Sequence, residues 1–123
     1  EFSCDAPISP EPQALGTHAI DKAEGLPSRT DFKVLKRLPD GTAILEAVLH
    51  TGRTNQIRLH LWHLGFPVVG DPAYLEGGVL GDTQTLDPKA PPLMLHAQQL
   101  SFLHPRTGES MRFETEAPDW ARV

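Results

Sequence analysis

The sequence predicts an α+β domain: a mainly antiparallel β-sheet with one short helix packed on it. Three observations carry that prediction. Residues 32–37 and 42–49 are two apolar-rich runs joined by Pro39, Asp40 and Gly41, the side chains of a tight reversal. Ile57, Leu61 and Leu64 recur at i, i+4, i+7, the spacing of one helix face. Met111 and Phe113 alternate with Arg112 and Glu114, as in a strand with one buried face.

Taken in order, residues 1–30 hold Pro7, Pro10 and Pro12 close together and read as an irregular lead-in over a surface. Phe32 and Val34 set against Lys33, Lys36 and Arg37 give the first strand, and 42–49 the second, as an antiparallel hairpin. A helix over 55–64 follows. Thr54 or Asn55 stands where an N-cap belongs, and Gly65 where a left-handed C-terminal residue belongs. On that helix Gln56, His60 and His63 share a face. Gly70, Asp71 and Pro72 make a turn, residues 75–92 a Gly- and Pro-punctuated loop, and 93–103 with 111–116 two more strands. All four strands are expected in one sheet, with no internal repeat.

The chain has 123 residues and a formal charge of −5. That length suits one small domain or part of a larger one. A single cysteine, Cys4, excludes an internal disulfide framework. No apolar run approaches the roughly 20 residues of a membrane helix, and the acidic, Pro-rich start is unlike a signal peptide, so a cytoplasmic protein is expected. The net charge argues against a phosphate-binding surface only globally. Residues 31–70 carry five basic and three acidic side chains, whereas both flanks are acidic. The positive charge gathers around Arg53 and Arg58.

Generic catalytic patterns are absent. His60 and His63 form H-x-x-H, one residue short of the helical zinc-protease spacing and without its glutamate, so no metal site is expected. No G-x-S-x-G elbow surrounds Ser101 or Ser110.

The stretch "TGRTNQIRLHLWHLGFPVVGDPAY", residues 51–74, resembles the signature of the RluA-type pseudouridine synthases, T-G-R-x-H-Q-[IL]-R-x-H followed by L-G-x-P-[IV]-x-G-D-x-x-Y. Gly25, Thr30 and Phe32 resemble that family's lead-in to a strand. The run from Leu95 to Gly108 resembles its "LHA…L-x-F-x-HP-x-T-G" hairpin. The likeness extends from about Ala6 to Trp120. It implies part of a pseudouridine synthase catalytic domain, the C-terminal half. The reaction implied is the isomerisation of uridine to pseudouridine in structured RNA, ribosomal or transfer, without metal or organic cofactor.

The family's nucleophile is an aspartate in an H-R-L-D segment upstream of these motifs, and no Arg-Leu-Asp occurs in this chain. The resemblance therefore implies a missing N-terminal half and a chain that is inactive by itself. The alternative is a non-catalytic RNA-binding or assembly module on the same fold. Arg58 matches the basic residue that pairs with the catalytic aspartate. Its guanidinium stays charged when buried and grips a carboxylate with two parallel bonds. On the same reading, Arg58→Met in the whole enzyme should abolish most turnover while folding normally. Arg53 and Asn55, in the turn before the helix, are candidate RNA contacts; Asn55 stands where the family pattern has histidine. Asp71 is assigned to a turn and Tyr74 to packing.

Overall fold

The computed structural model describes residues 1–13, 16–83, 88–89 and 92–122. The hairpin and the helix stand where the sequence places them. Strand β2 (Thr30–Arg37) pairs antiparallel with β3 (Ala43–Leu49), and helix α1 runs Gln56–His63. Asp40 closes the β2–β3 turn by accepting from the Thr42 N–H and hydroxyl, and Gly41 takes φ 90°. The pairing slips by one residue between Val34 and Lys36, so Leu35 bulges outward. Gly65 has the expected left-handed backbone, φ 91°. Asn55 occupies the N-cap position but makes no capping bond with its side chain.

The first thirty residues are less irregular than expected. Phe2–Cys4 forms a strand, β1, which pairs antiparallel with β2 and completes a three-stranded sheet. Ile8 bridges to Ile20 and Leu26. The Phe2 and Phe32 rings stack at 5.1 Å. Gly25 admits no side chain, because a Cβ would lie 2.2 Å from the Asp21 carbonyl oxygen.

The single sheet is the main correction. Residues 93–98 are not strand, and β6 (Gln99–Leu103) pairs only with β7 (Ser110–Glu114), as a separate hairpin. Leu100, Phe102, Met111 and Phe113 share one face of it through the pairs Leu100↔Phe113 and Phe102↔Met111. Leu100 is 62% exposed and Phe113 54%. The 75–92 loop also holds a small hairpin, β4 (Tyr74–Leu75) with β5 (Val79–Leu80), across a 3-10 turn at Glu76–Gly78. Residues 84–87, 90 and 91 of that expected loop lie outside the described residues.

Helix α1 is buried on two sides, which explains why its apolar residues do not form one stripe. Leu61 and Ile57 pack on the sheet against Cys4 and Phe32. Leu59 and Trp62 pack the other way, with Ile8, Ile20, Ala73 and Tyr74. Leu64, expected in the stripe, is exposed. Gln56 and His60 do share a buried face, while His63 is exposed. Between the two apolar clusters His60 meets the Thr30 hydroxyl through Nδ1 at 2.9 Å and the Ala6 carbonyl through Nε2 at 2.9 Å. Gln56 donates to Thr30 Oγ1 and the Arg29 carbonyl. Among the described residues no buried side-chain polar atom lacks a partner, as burial of such groups requires.

Burial lowers the His60 pKa from its ordinary value. In the unfolded chain the ring takes up its proton near pH 6.5; in the folded chain it resists to lower pH. The neutral ring therefore supports the fold fully above about pH 6.5, and that support declines below it, down to the folded pKa. We expect the urea midpoint to fall between about pH 7.5 and 5, and His60→Gln to flatten that dependence. A midpoint in the unaltered protein that is flat over this range contradicts the assignment.

Candidate active site

The turn before the helix is tied to the sheet at several points. Thr51 Oγ1 accepts from the Arg29 N–H at 3.0 Å and donates to Gln56 Oε1 at 2.7 Å. Arg53 donates from Nε and Nη2 to the Pro27 carbonyl, at 3.0 and 2.9 Å. Asn55 has φ 58° and is the one non-glycine residue with positive φ among those described. Asparagine accepts this conformation at low cost where most side chains do not.

The helix then aims Arg58 at Asp71. Nε lies 2.7 Å from Oδ2 and Nη2 lies 2.8 Å from Oδ1, a two-point grip. The side chains are 14% and 0% exposed. Arg58 Nη1 also donates to Asn55 Oδ1 at 3.2 Å, and the guanidinium carbon lies 5.1 Å from the Tyr74 ring centroid. Asn55 Nδ2 donates to the Tyr74 hydroxyl at 3.3 Å. Asp71 Oδ1 further accepts the N–H groups of Ala73 and Tyr74. Burial alone would push the Asp71 carboxyl up, but the Arg58 bond and these two N–H groups hold it below the ordinary carboxylate value. Hydrogen bonding to Asp71 raises Arg58 in turn.

Gly70 makes this turn possible. Its φ is 83°, and a Cβ there would meet the Pro92 carbonyl oxygen at 2.3 Å. The 92–95 segment thus runs close against the turn, with the Met94 N–H donating to the Val69 carbonyl at 2.9 Å. Beside Arg58 lies an open depression of about 350 Å³, lined by Leu49, Arg53, Asn55, Gln56, Ile57, Arg58, Leu93 and Leu95. We expect Gly70→Ala to strain the turn and to lower the melting temperature far more than Gly52→Ala, since nothing approaches a Cβ at Gly52.

The guanidinium held by Asp71 stands at the edge of an apolar depression. The structure thus brings all three sequence candidates, Arg58, Arg53 and Asn55, to one depression. It also gives Arg58 a partner within the chain that the sequence reading assigned only to a turn. His60, one half of H-x-x-H, is committed to Thr30 and Ala6.

No protein-family model matches the chain. Individual relatives do. The chain is 40% identical over 115 residues to the uncharacterized RNA pseudouridine synthase YlyB of Bacillus subtilis, covering 94% of this chain and 35% of that protein. It is 39% identical over 117 residues to the ribosomal large subunit pseudouridine synthase D of Nitrosomonas europaea, covering 94% and 33%.

The chain is a relative of the RluA-type pseudouridine synthases.

The dual-specificity RNA pseudouridine synthase RluA of Haemophilus influenzae is 36% identical over 98 residues, 80% of this chain and 42% of that protein. The chain spans about a third of the length of the first two pseudouridine synthases it matches. Among the described residues no helix is long and apolar enough to cross a membrane.

Proposed function

We propose that this chain is the C-terminal part of the catalytic domain of an RNA pseudouridine synthase, acting on structured RNA. The names of its relatives point first to ribosomal RNA of the large subunit. The observation that carries the reading is Arg58: a buried, orientated guanidinium at the edge of an apolar depression that the rest of the domain can enter. The nucleophilic aspartate arrives on an upstream segment, and Arg58 keeps it ionised and aimed. Arg53 and Asn55 line the same depression and contact the RNA at its rim. No metal or organic cofactor takes part in this scheme.

The chain's own carboxylates do not serve as that nucleophile. Asp71 is spent on Arg58 and two backbone N–H groups, and Asp82 lies exposed in the loop. The bare faces of Leu49, Leu95, Leu100 and Phe113 are what an N-terminal half would cover. The 123-residue chain alone therefore releases no tritium from 5-tritiated uridine in RNA, whereas the full-length protein does. Release by the isolated chain, or none by the full-length protein, overturns the reading. RNA binding without release by the full-length protein would mark a non-catalytic module instead.

A further inference from the structure

We propose that Asp71 is a positioning residue of this site, the clamp that gives the Arg58 guanidinium one orientation toward the incoming carboxylate. The inference rests on the functional reading above and adds to it a residue that touches neither substrate nor nucleophile. An arginine side chain has several rotatable bonds and loses considerable freedom when held still. Here Asp71, Asn55 and Tyr74 hold it. Asp71 grips Nε and Nη2 and so sets the plane. Asn55 takes Nη1, and the Tyr74 ring lies under the guanidinium. Asp71 is itself immobilised by the Ala73 and Tyr74 N–H groups, on a turn that only glycine at position 70 permits.

The clamp has an electrostatic consequence. Because Asp71 is ionised, its charge offsets that of Arg58, and the incoming carboxylate meets a pair with little net charge. What Arg58 then contributes is chiefly direction, through N–H bonds at fixed angles. Asp71→Asn separates the two contributions. It leaves the Arg58 charge uncompensated, so a site run on charge alone would keep or gain turnover. It also removes the two-point grip, so a site run on aim loses turnover. The asparagine oxygen can still accept from Ala73 and Tyr74, which preserves the turn.

The test has two arms. In the full-length protein, Asp71→Asn is expected to lower kcat by about 100-fold, the scale of a misplaced catalytic group, with KM for the RNA changed less than about threefold. An unchanged or higher kcat overturns the proposal. In the 123-residue chain labelled with 15N-arginine, the Arg58 Nε–H signal is expected to exchange slowly with solvent, and Asp71→Asn to make it exchange fast while the backbone amide spectrum stays folded. Equal exchange rates in the two proteins overturn the clamp. A wild-type full-length protein that makes no pseudouridine overturns the functional reading, and the catalytic use of the clamp with it; the exchange arm still decides whether the clamp exists.

Discussion

Replacing Arg58 by lysine in the full-length protein lowers pseudouridine formation by about 100- to 1,000-fold, the cost of losing one orientated electrostatic partner in a dry site. Lysine keeps the positive charge near Asp71 but cannot grip two oxygens at once or hold a plane. The nucleophile then meets a cation without a fixed direction. Arg58→Met, which the sequence alone presents as a clean loss of turnover, is a poorer choice once Asp71 is seen. The Asp71 side chain is 0% exposed and pairs with Arg58. Methionine would leave that carboxylate buried without its cation, which typically costs about 3–5 kcal/mol of stability. The methionine variant is therefore expected to unfold earlier as well as to lose activity. Tritium release at the wild-type rate by the lysine variant would remove Arg58 from the chemistry.

The second large effect falls on stability. Tyr74→Ala is expected to destabilise the chain by about 3–5 kcal/mol, the range for emptying an aromatic site in a core. Tyr74 is 0% exposed, packs with Leu59 and Ile8, and lies 5.6 Å from the Trp62 ring. Its hydroxyl accepts from the His18 and Asn55 N–H groups. Tyr74→Phe keeps the ring and gives up these bonds together with the hydroxyl's own donation to the His18 carbonyl, so it is expected to cost about 1–3 kcal/mol, the cost of leaving buried polar groups unpaired. Urea unfolding of both variants checks the order. A phenylalanine variant as unstable as the alanine one would put the energy in the hydroxyl rather than the ring.

Tyr74 shows where sequence reading succeeded, and Asp71 where it stopped. The motif order predicts packing for the tyrosine, which follows the turn, and it is buried. The hairpin β2–β3 and helix α1 were legible because their signals are local: turn chemistry at 39–41 and helical spacing from 57. Strand β1 has three residues, and its existence depends on β2, some thirty residues away; nothing in Phe2–Cys4 itself announces it. The strand pair near the C-terminus was recognised by alternation, but alternation tells which face is apolar, not what covers it. Among the described residues its two strands pair with each other only, so the single sheet failed. The sequence predicts a turn role for Asp71 and it has one, since it accepts two N–H groups of its own turn. That it also reaches a side chain on the preceding helix is a tertiary fact with no local spacing rule behind it.

The polar contacts between the two apolar clusters also form a circuit with a direction. The Ala6 carbonyl can only accept, so His60 Nε2 carries the hydrogen and Nδ1 presents a lone pair. Thr30 must then point its hydroxyl hydrogen at Nδ1, which turns its lone pairs toward Gln56. The Gln56 amide is thereby fixed with its oxygen toward Thr51, which donates to it. Every hydrogen in the series runs the same way, from Thr51 through Gln56, Thr30 and His60 to Ala6, and each bond polarises the next. A proton added at Nδ1 opposes that direction at one point. Thr30 must then turn its hydrogen away from the ring, into the space where Gln56 already donates. The far end of the series is Thr51, two residues before Arg53, in the turn that leads to Asn55 and Arg58. The interior histidine and the turn at the rim of the depression are thus joined by one directed series of hydrogen bonds.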